Sequence, residues 1–181
     1  MLRIIGGSAG GRKLLGPRGL EFRPTTGRVK EYIFSCLGDD VKGARLLDLF
    51  AGTGSLGIEA LSRGAEEVVF VERSSESVRI LTKNIERCGF REKAHIVKED
   101  VFRAIPRMAR EGEIFHFLLA DPPFKEALLG RILRAISENR KLCPEGLLIV
   151  EHEAHDSDPG GHGMTLLKQR RFGHCVISIY G

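Results

Sequence analysis

Four acidic residues, Asp48, Glu72, Asp100 and Asp121, follow one another at intervals of 24, 28 and 21 residues. Each stands in, or just after, a short apolar run. Such runs, four to eight residues long and bounded by turn formers, read as buried strands. In a parallel sheet the carboxyl ends of the strands share one edge, and ligands bind there. Four carboxylates on that rim describe an acidic site, matched to hydrogen-bond donors and cations.

The acids differ in what surrounds them. After Asp48 come Gly52, Gly54 and Gly57, with a helical pattern starting at Ser55. These glycines let the backbone turn sharply and approach a ligand ahead of a helix N-terminus. Their spacing fits the dinucleotide fingerprint G-x-G-x-x-G. Asp48 opposes that reading, because a carboxylate here repels a pyrophosphate and welcomes the ammonium and sulfonium of S-adenosylmethionine. Glu72, at the tip of the second strand, is placed to accept hydrogen bonds from both ribose hydroxyls. Asp100 has two readings, as partner of an adenine amino group or as N-cap of the next helix.

Asp121 opens the segment Asp121-Pro122-Pro123-Phe124. The prolines fix φ and carry no N–H, leaving Asp121 and the Pro122 carbonyl as rigid acceptors for an NH₂ group. The amine of a purine is a poor nucleophile because its lone pair is delocalised into the ring. Accepting its protons localises that pair on nitrogen and aims it at a methyl donor. Phe124 offers a face on which an extruded base can stack.

The elements that position these residues follow from periodicity. Thr25 or Thr26 caps a first helix whose Val29, Ile33 and Leu37 share a face, and Gly38 closes it. Arg28, Lys30 and Glu31 near its start are placed to face a ligand. Strands are expected at 45–50, 68–71, 94–97, 114–120 and 147–150. Helices alternate with them at 55–63, from a Ser74 or Ser75 cap to Gly89, at 101–110 and at 127–137. Pro106 is expected to kink or break the third of these. Two late strands, at 164–169 and 175–180, have no helix between them. The pattern predicts an α/β fold: a doubly wound, mainly parallel seven-stranded sheet with a C-terminal antiparallel hairpin.

The composition, 42% hydrophobic and 29% charged over 181 residues, is that of one soluble globular domain spanning 1–181. No apolar run approaches the roughly 20 residues that span a bilayer, and no signal-peptide pattern opens the chain, so we expect a cytoplasmic protein without a membrane partner. Cys36, Cys88, Cys143 and Cys175 stand far apart and read as reduced thiols, mostly in the core. His152, His155 and His162 with Asp156 and Asp158 match no common metal-ligand spacing, so no metal is expected. The net charge is +4, and residues 1–30 carry seven basic side chains against Glu21 alone. That arm either meets a polyanion or is a solvated extension.

Asp-Leu-Phe-Ala-Gly-Thr-Gly, Glu72 and Asp-Pro-Pro-Phe together resemble the class I S-adenosylmethionine-dependent methyltransferases that act on exocyclic amino groups. Gly11-Arg12-Lys13-Leu14, Arg23-Pro24-Thr25-Thr26 with Arg28-Val29, and Glu151-His152-Glu153 narrow the resemblance to the RsmD family, across essentially the whole chain. It implies methylation of a guanine N2 in 16S rRNA, within the small ribosomal subunit or an assembly intermediate, by a monomer. It also implies a Rossmann-like fold in which residues 1–40 serve RNA binding and cofactor capping. Carried over, the cofactor residues are Asp48, Phe50, Ala51, Gly52, Thr53, Gly54, Glu72, Arg73, Asp100 and Val101. The catalytic segment is Asp121, Pro122, Pro123 and Phe124, and RNA falls to Arg12, Lys13, Arg23, Thr25, Thr26 and Arg28. Phe124 stands where the family often has Tyr. The rival readings are a DNA adenine N6 or protein glutamine N5 methyltransferase, a nicotinamide-dependent oxidoreductase resting on the glycine spacing alone, and a non-catalytic RNA-binding protein.

Overall fold

The computed structural model describes residues 2–16, 26–123, 128–156, 160 and 163–181. Phe124, Arg23, Thr25, Asp158 and His162 lie outside the described residues. Strands β1 (Arg45–Leu49), β2 (Glu67–Val71), β3 (Ala94–Val97), β4 (Phe117–Ala120), β5 (Leu147–Glu153), β6 (Leu166–Phe172) and β7 (Cys175–Tyr180) form one sheet. Its order is β3-β2-β1-β4-β5-β7-β6. The first five strands are parallel, and β7 runs antiparallel between β5 and β6. The order reverses between β1 and β4, the kind of point at which such sheets bind ligands.

Helices α1 (Gly27–Leu37), α2 (Ser55–Ser62) and α3 (Ser75–Cys88) pack on one face of the sheet. On the other face lie α4 (Val101–Arg110) and α5 (Leu129–Ser137). Thr26 caps α1 by accepting from the Val29 N–H, and Ser74 caps α3 in the same way. Gly89 ends α3 in the left-handed conformation. Helix α4 runs unbroken through Pro106. The proline removes a single N–H, and burial of Val101, Ala104, Ile105 and Met108 holds the helix together around it. None of the helices among the described residues is long and apolar enough to cross a membrane.

Three strand ends lie three residues from expectation: β4 begins at Phe117 rather than 114, β5 runs on to Glu153 rather than ending at 150, and β6 runs on past 169. The apolar pattern places a strand at 164–169, whereas β6 runs to Phe172 through Lys168, Gln169, Arg170 and Arg171. Six of its seven residues are exposed, so hydrophobic alternation carries no signal there. Backbone pairing of Phe172 with Cys175, and of Cys175 with Glu153, extends β6 and β5 to the same level.

Over residues 2–16 the N-terminal arm is docked rather than free. Arg3 and Lys13 form an antiparallel bridge, flanked by hydrogen bonds from Ile4 N–H to the Arg12 carbonyl (2.9 Å) and from Leu14 N–H to the Leu2 carbonyl (3.0 Å). The small hairpin rests on α2, all eight residues of which are buried. Within that helix the Glu59 carboxylate accepts from the N–H groups of Ile5 (2.8 Å) and Gly6 (2.9 Å) and from Arg63 Nε (2.9 Å). Its Oε2 also lies 3.3 Å from Lys30 Nζ. Lys30, expected to face a ligand, is instead 1% exposed and donates to the Arg3 carbonyl. Burial holds its ammonium below the usual lysine range, with Glu59 pulling the other way. Nearby, Ser62 Oγ accepts from Ala9 N–H (2.9 Å) and donates to the Gly6 carbonyl.

Removing one partner of a buried ion pair strands the other charge and costs about 3–5 kcal/mol. Glu59→Gln is therefore expected to lower the unfolding free energy from urea titration by an amount in that range, moving the midpoint down, with Lys30→Met in the same chain recovering part of it. An unchanged midpoint in the single variant would contradict the role assigned to Glu59.

Candidate active site

Register brings the carboxylates together. Asp48 of β1 pairs with Phe70 of β2 on one side and Leu119 of β4 on the other. Glu72 and Asp121 lie two residues further along those strands. Side chains alternate with a period of two, so all three acids belong to the face that carries α1, α2 and α3. Ile149 of β5 pairs with Leu119, which puts Glu151 beside Asp121 at the same level and on the same face.

Asp48 is 2% exposed, and its Oδ2 accepts the Gly57 N–H at 2.9 Å. This bond ties the strand to the first turn of α2, where a negative charge is favoured. Burial pushes the Asp48 carboxyl up to about 8, the Gly57 bond pulls it down, and the charges of Asp121 and Glu72 raise it further. A cation seated at this rim would draw the proton off again. Gly57 is required by this approach: a Cβ there would lie 2.2 Å from Phe70 Cε1 and 2.9 Å from Asp48 Oδ2.

The turn between β1 and α2 is built to come close to something. Gly52 (φ 55°) and Gly54 (φ 83°) are left-handed, and Phe50 (φ 58°) is the one non-glycine with positive φ among the described residues. An L-residue in that conformation costs roughly 1–2 kcal/mol, which makes the position a marker of constraint at a functional edge. The Phe50 ring meets Phe102 edge-on at 6.0 Å. Ala51 N–H reaches the Val71 carbonyl (3.0 Å), anchoring the turn to β2. Thr53 is buried, and its carbonyl accepts from Asn84 Nδ2 at 2.9 Å.

Glu72 holds the same turn: Oε2 accepts from Gly52 N–H (2.9 Å) and Oε1 from Ser74 N–H (2.7 Å). Each carboxylate oxygen has a second lone pair, so ribose hydroxyls can be received without breaking these bonds. Asp100 serves as the N-cap of α4, accepting from Phe102 N–H at 3.0 Å. Its other oxygen lies 3.9 Å from the exposed Arg73 guanidinium. Val101, the first residue of α4, is buried beneath it. Asp121 is half-buried, Pro122 buried and Pro123 exposed.

The residues expected to meet RNA divide. Arg28 and the capping residue Thr26 are exposed at the start of α1, and Lys13 is exposed on the hairpin. Arg12 is turned to the end of α3, donating to the Arg87 carbonyl at 2.7 Å. His152 is buried, with its ring nitrogens 2.9 Å from the Glu153 carbonyl and 2.8 Å from Ser178 Oγ.

Two residues at the site have no counterpart among the expectations. Asn84 is fully buried on α3 and links three segments: it donates to the carbonyls of Thr53 and Leu15 and accepts from Leu15 N–H (2.7 Å). The arm is thereby tied to the ligand turn. Glu59 was visible as the one charge within the apolar run of α2, a position that demands partners.

Comparison with known proteins adds the family. The description Conserved hypothetical protein 95 matches residues 2–181. YlbH of Bacillus subtilis (strain 168) is 36% identical over 180 residues, 99% of this chain and 98% of that one. Ribosomal RNA small subunit methyltransferase D of Escherichia coli (strain K12) is 36% identical over 160 residues, covering 87% of this chain and 78% of its own. Among solved structures, yhhF from Escherichia coli superposes with a TM-score of 0.84 at 34% identity, covering 98% of this chain and 96% of that one.

The raised Asp48 carboxyl has a thermodynamic consequence. The folded protein keeps a proton that the unfolded chain releases from about pH 4. Its contribution to stability is complete below that pH and is lost as pH rises toward about 8. Asp48→Asn should flatten the decline in Tm between pH 4 and pH 8 relative to wild type. Parallel profiles for the two proteins would contradict the assignment.

Proposed function

The chain belongs to the RsmD family, that of Conserved hypothetical protein 95, and on that premise we propose that it methylates the exocyclic N2 amino group of a guanine in 16S rRNA, using S-adenosylmethionine. The observation that carries this reading is the placement of Asp121-Pro122-Pro123 one step beyond β4, beside Asp48 and across the order reversal of the sheet.

The site fits the cofactor on its own chemistry. A strained turn with two left-handed glycines, flanked by the carboxylates of Glu72 and Asp121, offers hydroxyl acceptors and a negative potential. Such a potential disfavours a pyrophosphate and therefore a nicotinamide dinucleotide. S-adenosylmethionine, when bound, supplies an electrophilic methyl carried on a sulfonium. Glu72 would hold its ribose, Asp48 and the turn 50–54 its cationic end, and Asp100 with Val101 the base.

The chain's own part in the reaction is acceptance and aim. Asp121 and the Pro122 carbonyl take hydrogen bonds from the amino group, which localises its lone pair and fixes its direction. No strong base is required: as the N–C bond forms the methyl–sulfur bond would break to leave a neutral thioether, and the amine, made acidic by the methyl group, gives up its proton to water. Positioning and fixed charge supply the acceleration. Guanine presents two neighbouring donors on its Watson–Crick edge, N1–H and N2–H. The paired carboxylates Asp121 and Glu151 match that edge, whereas adenine offers one donor beside an acceptor. The exposed cations of the arm and α1 suit the polyanionic substrate.

Asp121→Ala is expected to bind S-adenosylmethionine with wild-type affinity in calorimetry and to lose transfer to 16S rRNA by at least a hundredfold. Wild-type transfer by this variant would refute the role of Asp121.

A further inference from the structure

The basic arm does not account for all the exposed positive charge near the ligand edge. Edge strand β6 presents Lys168, Arg170 and Arg171, all exposed, on a strand whose backbone pairs on one side only. Register locates them. Arg170 pairs with Ile177 of β7, Ile177 pairs with Glu151 of β5, and Glu151 lies beside Asp121. Directly paired residues share a face. Arg170 therefore sits at the level of Asp121 and on its face, three strand spacings away, which is roughly 14 Å.

Packing holds this charge in place. The Arg170 guanidinium lies 5.0 Å from the Tyr32 ring centre and 5.2 Å from that of Phe172, and Lys168 Nζ lies 5.7 Å from Tyr32. Cations over aromatic faces lose little freedom when they meet a phosphate. Adjacent to them is a groove of about 810 Å³ between the arm, the start of α1 and the β6–β7 turn. Arg3, Thr26, Arg28, Phe172 and Gly173 line it, with Glu31 as the one acid among the described lining residues. Arg171 belongs to the opposite face, where its Nε donates to the Gly173 carbonyl at 2.8 Å.

We propose that Lys168 and Arg170, together with Arg3 and Arg28 in the groove, form a phosphate-binding track for the RNA that flanks the target base. The track rests on the reading of the protein as an rRNA methyltransferase. Its occupant is RNA rather than an acidic protein, because the cations form a row in which Arg170 stands level with Asp121 on the same face, and the groove beside them is lined by an aromatic, Phe172. Lysine and arginine on an edge strand also deter strand-to-strand aggregation, and the two roles make different predictions.

The test uses the full chain and unmethylated 16S rRNA, with Lys168→Gln/Arg170→Gln compared against Arg171→Gln. The double variant should raise KM for rRNA by about tenfold at unchanged kcat and unchanged affinity for S-adenosylmethionine. It should also reduce the slope of log affinity against log salt by about 1.4–1.8, the loss of two phosphate contacts. Arg171→Gln should leave KM close to wild type. A double variant with wild-type KM and salt slope overturns the track while leaving the methyltransferase reading intact, and self-association of that variant would then assign the charges to edge protection. Equal losses in the double variant and Arg171→Gln would show a general charge effect and also overturn it. Wild-type protein that neither binds nor methylates 16S rRNA removes the premise, and the track with it.

Discussion

A carboxylate cut off from solvent needs protein donors in place of the water it gives up, and Glu59 has such replacements on every side. Two arm N–H groups, Arg63 and Lys30 converge on it. Through this one side chain the hairpin, α1 and α2 become a single unit. Helix α2 begins at the ligand turn, so whatever fixes α2 fixes the turn as well. The second attachment, from Asp48 to Gly57, fastens the same helix to the central strand. Between them the two buried carboxylates determine where the glycine turn sits, and Asn84 closes the circuit by binding both that turn and the arm.

The rim is acidic because neighbouring parallel strands end at one level. Asp48, Glu72, Asp121 and Glu151 occupy a single face across four adjacent strands. Burial first, and then the charges of Asp121 and Glu72, raise the Asp48 carboxyl to about 8. A site organised in this way selects positive and donor-rich ligands. On the proposed function, the glycines shape the turn and the acids around it favour S-adenosylmethionine over the NAD that the spacing alone tolerates.

Much of this architecture was legible in the amino-acid order. Strands β1, β2, β3 and β7 and the caps at Thr26, Ser74 and Gly89 announce themselves through apolar runs and helix-end residues. So does the alignment of the acids, because each closes or follows a buried strand. What escaped were features whose signal is relational. Lys30 reads as a surface cation until Glu59, 29 positions away, is known to face it. Asn84 looks like an ordinary polar helix residue, since nothing local shows that two carbonyls and an N–H await it. The end of β6 is hidden because an exposed edge strand has no apolar period, and its charges read as a loop.

The central claim is that the acidic rim delivers a methyl group to guanine N2, and the product itself tests this most directly. 16S rRNA from cells lacking the protein, incubated with it and S-adenosylmethionine, would be digested to nucleosides and mapped by mass spectrometry. The account predicts one new N2-methylguanosine, absent without protein. New N6-methyladenosine, or no methylated nucleoside at all, would contradict it.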